Sequence, residues 1–356
     1  MRFALGLVAV LACGCSVDVL GEAGQEPAAA PRQELEPAPP SSFERGVHAL
    51  VQAKKEWRAE RGCVSCHTNG WGLAAQPVIA PGSREVLEGR SFAQGYLKKY
   101  LDEEARPVGQ YGSTEGMVVT AAFLALSDAR VGEGIHEVTR MGLDHAWSLL
   151  DETGTWEDWL QCNWPPFESD AVYGPTLMLV AVGGLKEKSP LNPKDRAGVE
   201  RLIAYLKAHP PASLHDKAMR LWASIHWPTL FETPAERDAW VQELMAAQSA
   251  GGGWSMASLS GPDWRHDDGK PQRDVDEAYP TAFASYVLLR LDKATSSKDD
   301  SQRKWKRAND AVLWLKENQQ ESGMWRTRSP RRDGKHYIGR TATVFALMVL
   351  AEQGQG

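Results

Sequence analysis

Between residues 43 and 353 the apolar positions recur with helical spacing, and no run alternates as a half-buried strand would. In the segment 135–150, Ile135, Val138, Leu143, Ala146, Leu149 and Leu150 fall mostly on one stripe. Trp305, Ala308, Val312 and Leu315 do the same before Gln319. A second kind of segment is apolar nearly all round: "MVVTAAFLAL" from Met117, "YGPTLMLVAVG" from Tyr173, "YPTAFASYVLL" from Tyr279 and "GRTATVFALMVL" from Gly339. Such helices are buried on most sides. The pattern therefore predicts amphipathic helices alternating with buried ones.

The links between the two kinds repeat. Gln248–Trp254 and Gln319–Trp325 both read Q-x-x-x-G-x-W, and Leu150–Trp156 fits with Leu in the Gln position. "SCHTNGW", ending at Trp71, closes on the same Gly-Trp pair. A further pair without this turn spans 193–209 and 213–227. Stacked units of this kind form a layered helical array. A closed ring is expected rather than an open solenoid, because no polar capping helix follows the last apolar one. On this reading the first amphipathic helix, 43–60, pairs with the apolar segment from Met117.

The spacing resembles the QW motif of squalene–hopene cyclases and their relatives. That resemblance implies an all-α fold, an α/α toroid with inner helices ringed by outer ones. It also implies structural roles: Gln248 and Gln319 brace helix ends, and Trp254, Trp325 and Trp156 pack over them. "CVSCHT", "WPPFESDAVYGPTLMLVAVG" and "LHDKAMRLWAS" are closer still to exported bacterial cyclase-like proteins that carry CxxCH near the N-terminus.

Squalene–hopene cyclases protonate an alkene with a D-x-D-D aspartate, and Asp274-Val275-Asp276-Glu277 is a near match. Carboxylate neighbours can sharpen such an acid. Asp276 would be the acid, with Asp274 beside it. The competing reading is architectural. "DEAYPTAF" and "ESDAVYGPTLM" place an acid, a Tyr and a Thr at the start of two apolar helices, where acids suit the helix N-terminus and Thr can cap.

The N-terminus changes the picture of location. Arg2 and the apolar run from Phe3 to Ala12 suit a signal peptide and are too short to span a bilayer. "VLACGC" resembles a lipobox, with Cys13 as the lipidated residue and Cys15 as the fallback; ordinary signal cleavage is the alternative. Residues 1–15 are thus read as the signal. Residues 16–42, rich in Ala, Pro and Glu, form a disordered tether, and 43–353 the toroid domain. An exported protein is expected, periplasmic or at the cell envelope, touching membrane only through its lipid anchor. The formal net charge of −6, with acids and bases mixed, argues against a nucleic-acid partner.

Only Cys63, Cys66 and Cys162 remain in the domain, too few for a disulfide framework. Cys63-Val64-Ser65-Cys66-His67 is the attachment signal for one covalent haem c. Two thiols at this spacing reach the two vinyl groups of one porphyrin edge, and His67 ligates the iron from the proximal side. Two alternatives stay open. A zinc site would need Cys162 and a further His to complete four ligands, and Cys63 with Cys66 could form a redox disulfide. Otherwise Cys162 is a buried, inert thiol.

Candidates for the sixth iron position are Met117, His145, His215, His226 and His336. His145 precedes Trp156 by the same interval as Glu60 precedes Trp71, which places it level with the haem turn on the adjacent outer helix. Met117 is expected to open the inner helix after that turn. The leading function is electron transfer or redox or ligand sensing, with a redox partner protein or a small ligand. The alternatives are a terpene-cyclase-like enzyme acting on an apolar polyprenyl substrate in the toroid cavity, and a haem-stabilised binding scaffold.

Overall fold

Ser41 starts the fold with a capping box. Its hydroxyl accepts the Glu44 N–H at 3.2 Å, and the Glu44 carboxylate accepts the Ser41 N–H at 2.7 Å. The computed structural model describes residues 41–354 except 65, 103, 108–113, 157–158, 160–164, 168–169, 263, 295–297 and 333–336. The side chains of 66, 298–303 and 305 also lie outside the description. So do Cys13, Cys15, Cys162 and His336, together with the expected signal and nearly all of the tether.

Helices come in outer–inner pairs. They are α1 (Ser42–Arg61) with α2 (Trp71–Ile79), α3 (Arg84–Leu101) with α4 (Thr114–Val131), and α5 (Glu137–Ser148) with α6 (Tyr173–Lys186). Then come α7 (Pro193–Ala208) with α8 (Leu214–Ser224), α9 (Pro234–Ala246) and the short α10 (Met256–Leu259) with α11 (Ala278–Ala294), and α12 (Lys298–Glu317) with α13 (Tyr337–Glu352). The inner helices pack in the order α2, α4, α6, α8, α11, α13, and α13 packs back on α2. The ring is closed, and the fold is an α/α toroid. No strand forms among the described residues.

The sequence pattern explains the layering. Every residue of α4 from Met117 to Ala129 is buried, as is every residue of α13 from Thr341 to Leu350. On α3 only the stripe Val86, Ala93, Tyr96, Leu97 and Tyr100 and its near neighbours are covered. One expectation is corrected. The first amphipathic helix does not pair with the apolar segment from Met117, because α2 and α3 lie between them. At nine residues α2 is too short for a periodicity window, and it runs straight out of the cysteine–histidine turn without a loop.

The Gln-Gly-Trp turn is a joint between successive pairs. Gln248 Nε2 donates to Gly252 O at 2.8 Å and to Arg307 O on α12 at 2.9 Å. Gln319 Nε2 donates to Gly323 O and to Ser42 O on α1, both at 2.8 Å. The indoles of Trp156, Trp254 and Trp325 donate to Ala146 O, Leu244 O and Leu315 O at 2.8–2.9 Å, closing the outer helix behind each turn. Gly252 and Gly323 hold φ of 90° and 83° with their Cα atoms pressed on the backbone of Asp310 and Arg45 in the next outer helix. The joint at Gln319 therefore seats the last pair on the first. Thr281 and Thr343, early in α11 and α13, accept the Trp254 and Trp325 backbone N–H groups at 2.9 and 3.0 Å.

Gly70-Trp71 is not a further copy of this joint. Trp71 opens α2 and points into the ring, where it stacks on Trp222 of α8 at 5.7 Å between ring centres. These two helices stand opposite each other in the ring. Phe345 contacts Trp71, Trp222, Tyr279, Phe283 and Tyr286, and all six side chains are buried. Aromatic side chains thus fill the axis at this level. Toward the C-terminal ends of the inner helices, Arg130 donates to Ala74 O at 2.6 Å and to Tyr286 Oη at 2.9 Å, bridging α4, α2 and α11.

Candidate functional site

Gly62, in the left-handed conformation at φ 61°, ends α1 and turns the chain toward the core. Cys63 and Val64 are buried. Residues Cys66–Gly70 form one π-helical turn that continues into α2. Asn69 Nδ2 donates to Cys63 O at 3.4 Å, and the Thr341 hydroxyl of α13 donates to His67 O. The motif is therefore pinned at both ends, once by its own turn and once by the last helix of the ring.

His67 sits between two aromatic rings. Trp57 of α1 meets it edge-on at 4.8 Å, and Tyr337 of α13 lies at 4.9 Å. Tyr337 Oη donates to Pro165 O at 2.8 Å, which fixes that wall. Nδ1 of His67 pairs with Thr68 Oγ1 at 2.8 Å, so Nε2 is the nitrogen left to face other chemistry. Burial, and then the nearby Arg340 guanidinium, push the imidazole down to about 3. The ring is neutral at any physiological pH, the form in which it can ligate a metal. Arg340 also stacks over Trp57, 5.3 Å from its ring centre. Trp57 Nε1 and Arg340 Nη1 are buried atoms with no hydrogen-bond acceptor among the described residues.

Beneath the turn, Lys54 of α1 is buried against Gln76 of α2 and stands 3.7 Å from Glu85 of α3. Arg58 grips the same carboxylate at 2.5 and 3.1 Å. Burial pushes the Lys54 ammonium down to about 7, partly offset by Glu85. This network ties three helices together under the motif. Beside Gly62, an open groove of about 670 Å³ runs along α3 past Leu87, Phe92, Tyr96 and Lys99.

The other predicted residues are dispersed. His145 lies on α5, which packs on α3, α4 and α7, so α3 separates it from α1 and the inferred adjacency does not hold. Met117 is buried in the first turn of α4, the second inner helix rather than the first, although α4 does touch the π turn. His215 pairs through Nε2 with Tyr279 Oη at 2.8 Å, among Trp264 and Phe283. His226 follows α8 at the opposite end of that helix, 3.3 Å from Glu187. Asp274 and Asp276 accept hydrogen bonds from Ser255 and Ser249 at 2.7 and 2.6 Å. They brace the Gln248 turn, ahead of α11. No group of three or more His, Cys, Asp or Glu is gathered as a metal site among the described residues. No described helix is long and apolar enough to cross a membrane.

Sequence reasoning missed Trp57, Tyr337 and Arg340, because the ring closure that joins them is a long-range contact. It also missed Asp216 at the start of α8. Burial and the neighbouring Asp170 push that carboxyl up to about 7, against a backbone hydrogen bond from Ala212. Asp170 itself caps α6 by accepting the Val172 and Tyr173 N–H groups.

No protein-family model matches the sequence, and no curated protein matches it. Solved structures do. An unsaturated glucuronyl hydrolase from Bacillus sp. GL1 superposes with a TM-score of 0.58 at 13% identity, over 88% of this chain and 98% of that one. A cellobiose 2-epimerase from Spirochaeta thermophila gives 0.54 at 15%, over 86% and 87%. A family 88 glycosyl hydrolase from Bacteroides vulgatus gives 0.52 at 10%, over 88% and 99%. At these identities the likeness is one of fold, and the chain shares with them the α/α toroid.

Proposed function

We propose that this chain is an exported haem protein on an α/α toroid, serving electron transfer or redox or ligand sensing at the cell envelope. The observation that carries the reading is the state of His67. The one histidine of the CxxCH motif is neutral, walled by Trp57 and Tyr337, and among the described residues its ring is hydrogen-bonded through Nδ1. That is the condition of a ring prepared to offer Nε2 to a metal. Cys63 and Cys66 would each add sulfur to one vinyl carbon and a proton to the other, forming thioethers without net oxidation. When bound, haem supplies an iron that changes oxidation state or takes a sixth ligand. The residues of the chain hold and shield it.

The filled axis weighs against the polyprenyl alternative, which needs an apolar cavity where Trp71, Trp222 and Phe345 now stack. A second enzymatic reading has its own support, because Asp216 beside Asp170 is a carboxyl still protonated near neutrality, suited to general acid catalysis. The test is expression together with haem-maturation machinery, followed by acid–acetone extraction of the denatured protein. Haem should remain on the wild-type polypeptide and be lost from the Cys63→Ala/Cys66→Ala double variant. Extractable haem, or none, in the wild type would refute the proposal and leave the carboxylate pair as the site to pursue.

A further inference from the structure

The two hydrogen-bond donors beside His67 are unexplained by the protein alone. The atoms Trp57 Nε1 and Arg340 Nη1 are both shut off from solvent, and neither meets an acceptor among the described residues. Leaving a buried N–H unsatisfied costs about 1–3 kcal/mol, and more when the group is charged. The two side chains are in contact, with Arg340 stacked on the Trp57 ring at 5.3 Å. Trp57 in turn meets the His67 ring at 4.8 Å. Arg340 forms no ion pair among the described residues. One guanidinium N–H of the half-buried Arg340 and the indole N–H of the half-buried Trp57, on side chains in contact and both without an acceptor among the described residues, suit a complement that is anionic and accepts two hydrogen bonds. A carboxylate has that chemistry, with two oxygens, each able to take a donor.

We propose that Trp57 and Arg340 together receive a propionate carboxylate of the haem. This rests on the attachment reading above. The pair sits on α1 and α13, the helices that wall His67, so Trp57 and Arg340 would hold the carboxylate of a group ligated by His67 on that side. They are positioning residues that act on the orientation and potential of the iron through the carboxylate. The cation compensates the carboxylate charge, which favours the ferrous state. Losing either donor leaves more negative charge felt at the iron and favours the ferric state.

The experiment begins with wild-type protein loaded with haem. Absence of acid–acetone-resistant haem refutes the attachment reading itself. If haem is attached, Trp57→Phe keeps the aromatic wall and removes only the donor, while Arg340→Gln removes the charge. Both variants should retain the thioether-bound haem and show a lower midpoint potential than the wild type. In wild-type protein, resonance Raman spectra should show the propionate bending mode shifting on transfer to deuterated water, and Trp57→Phe should diminish that shift. This measurement does not depend on Arg340→Gln folding. Attached haem with no deuterium-sensitive propionate mode, or with an unchanged potential in Trp57→Phe, would overturn the inference. The donors would then be satisfied by ordered water.

Discussion

Gly323→Ala, at a buried joint of the outer helices, should be among the most damaging glycine substitutions in the ring. Gly323 has φ 83°, a region that costs an L-residue about 1–2 kcal/mol. A Cβ placed there would strike the Arg45 carbonyl oxygen and lie 2.8 Å from its carbon. Both atoms are backbone of α1, held by the helix, so they cannot swing aside as the tip of a long side chain can. Relieving such overpacking costs a further ~1–3 kcal/mol, giving about 2–5 kcal/mol in all. Gly82 supplies the control. Its φ is 71°, and nothing lies within 4 Å of a Cβ built on it. Gly82→Ala should therefore cost only the conformational ~1–2 kcal/mol. The stiffening of the unfolded chain is common to both variants and cancels in the difference. Urea unfolding followed by tryptophan fluorescence should place the Gly323→Ala midpoint clearly below that of Gly82→Ala. Equal midpoints at equal slope would refute the claim that this joint is seated backbone to backbone on α1.

Other expectations follow from the core and the rim. Trp71→Ala should cost about 3–5 kcal/mol and open a void beside Trp222, Phe123 and Phe345. Indole should then raise the melting temperature of the variant and not of the wild type, and an unperturbed melting temperature would show that the axis is not packed as described. Asp216 is raised from 3.8 to about 7, so the unfolded chain releases its proton first as pH rises. The Asp216 contribution to stability should therefore fall between about pH 4 and 7, with a limiting slope of about 1.4 kcal/mol per pH unit, against the opposite slope contributed by the buried His67 and His215, so it is read as the difference between wild type and variant. Asp216→Asn should make the profile rise more steeply with pH than that of the wild type across this window, and a pH profile unchanged by the substitution would place the carboxyl in a more polar setting. The cysteine double variant and Trp57→Phe test the proposed haem site as set out above.

What could be read from the letters was whatever short-range spacing controls. The local half of the Gln248–Trp254 and Gln319–Trp325 joints, closed through Gly252 and Gly323, was legible from the repeated motif and its resemblance, as was the buried character of α4, α6, α11 and α13; the reach of Gln248 to Arg307 and of Gln319 to Ser42 on the next outer helix was not. The same logic failed at Gly70-Trp71. The pair matches the joint in sequence, but the π turn before it delivers Trp71 to the axis instead. Overlooking α2 and α3 then displaced His145 by one whole helix pair, since a register counted along repeats is only as good as the count of repeats. Asp274 and Asp276 were legible as architecture, although they brace the turn through Ser255 and Ser249 and do not cap α11. Trp57 and Arg340 were not legible. They meet only because α13 returns to α1, and no local pattern records that closure.

The closure also bears on where chemistry can reside. A toroid whose axis is occupied by Trp71, Trp222 and Phe345 has little room at that level for a reaction vessel. The cysteine–histidine motif lies at the rim, where the inner helices begin. Most of the rim is built from joints whose side chains are spent on bracing: Gln248 and Gln319 on neighbouring helices, Asp276 on Ser249. The first pair differs. Its turn runs directly into α2, and its bracing is shared between Asn69, the Lys54–Glu85–Arg58 network below and Thr341 across the closure. Rigid support with uncommitted donors is what a bound group requires, because a site is only as well oriented as the shell that holds it. The location of the motif at the seam of the ring is therefore part of the case for a bound group there. The seam supplies Tyr337 and Arg340 to His67, and a ring opened at that seam would lose the site together with the fold.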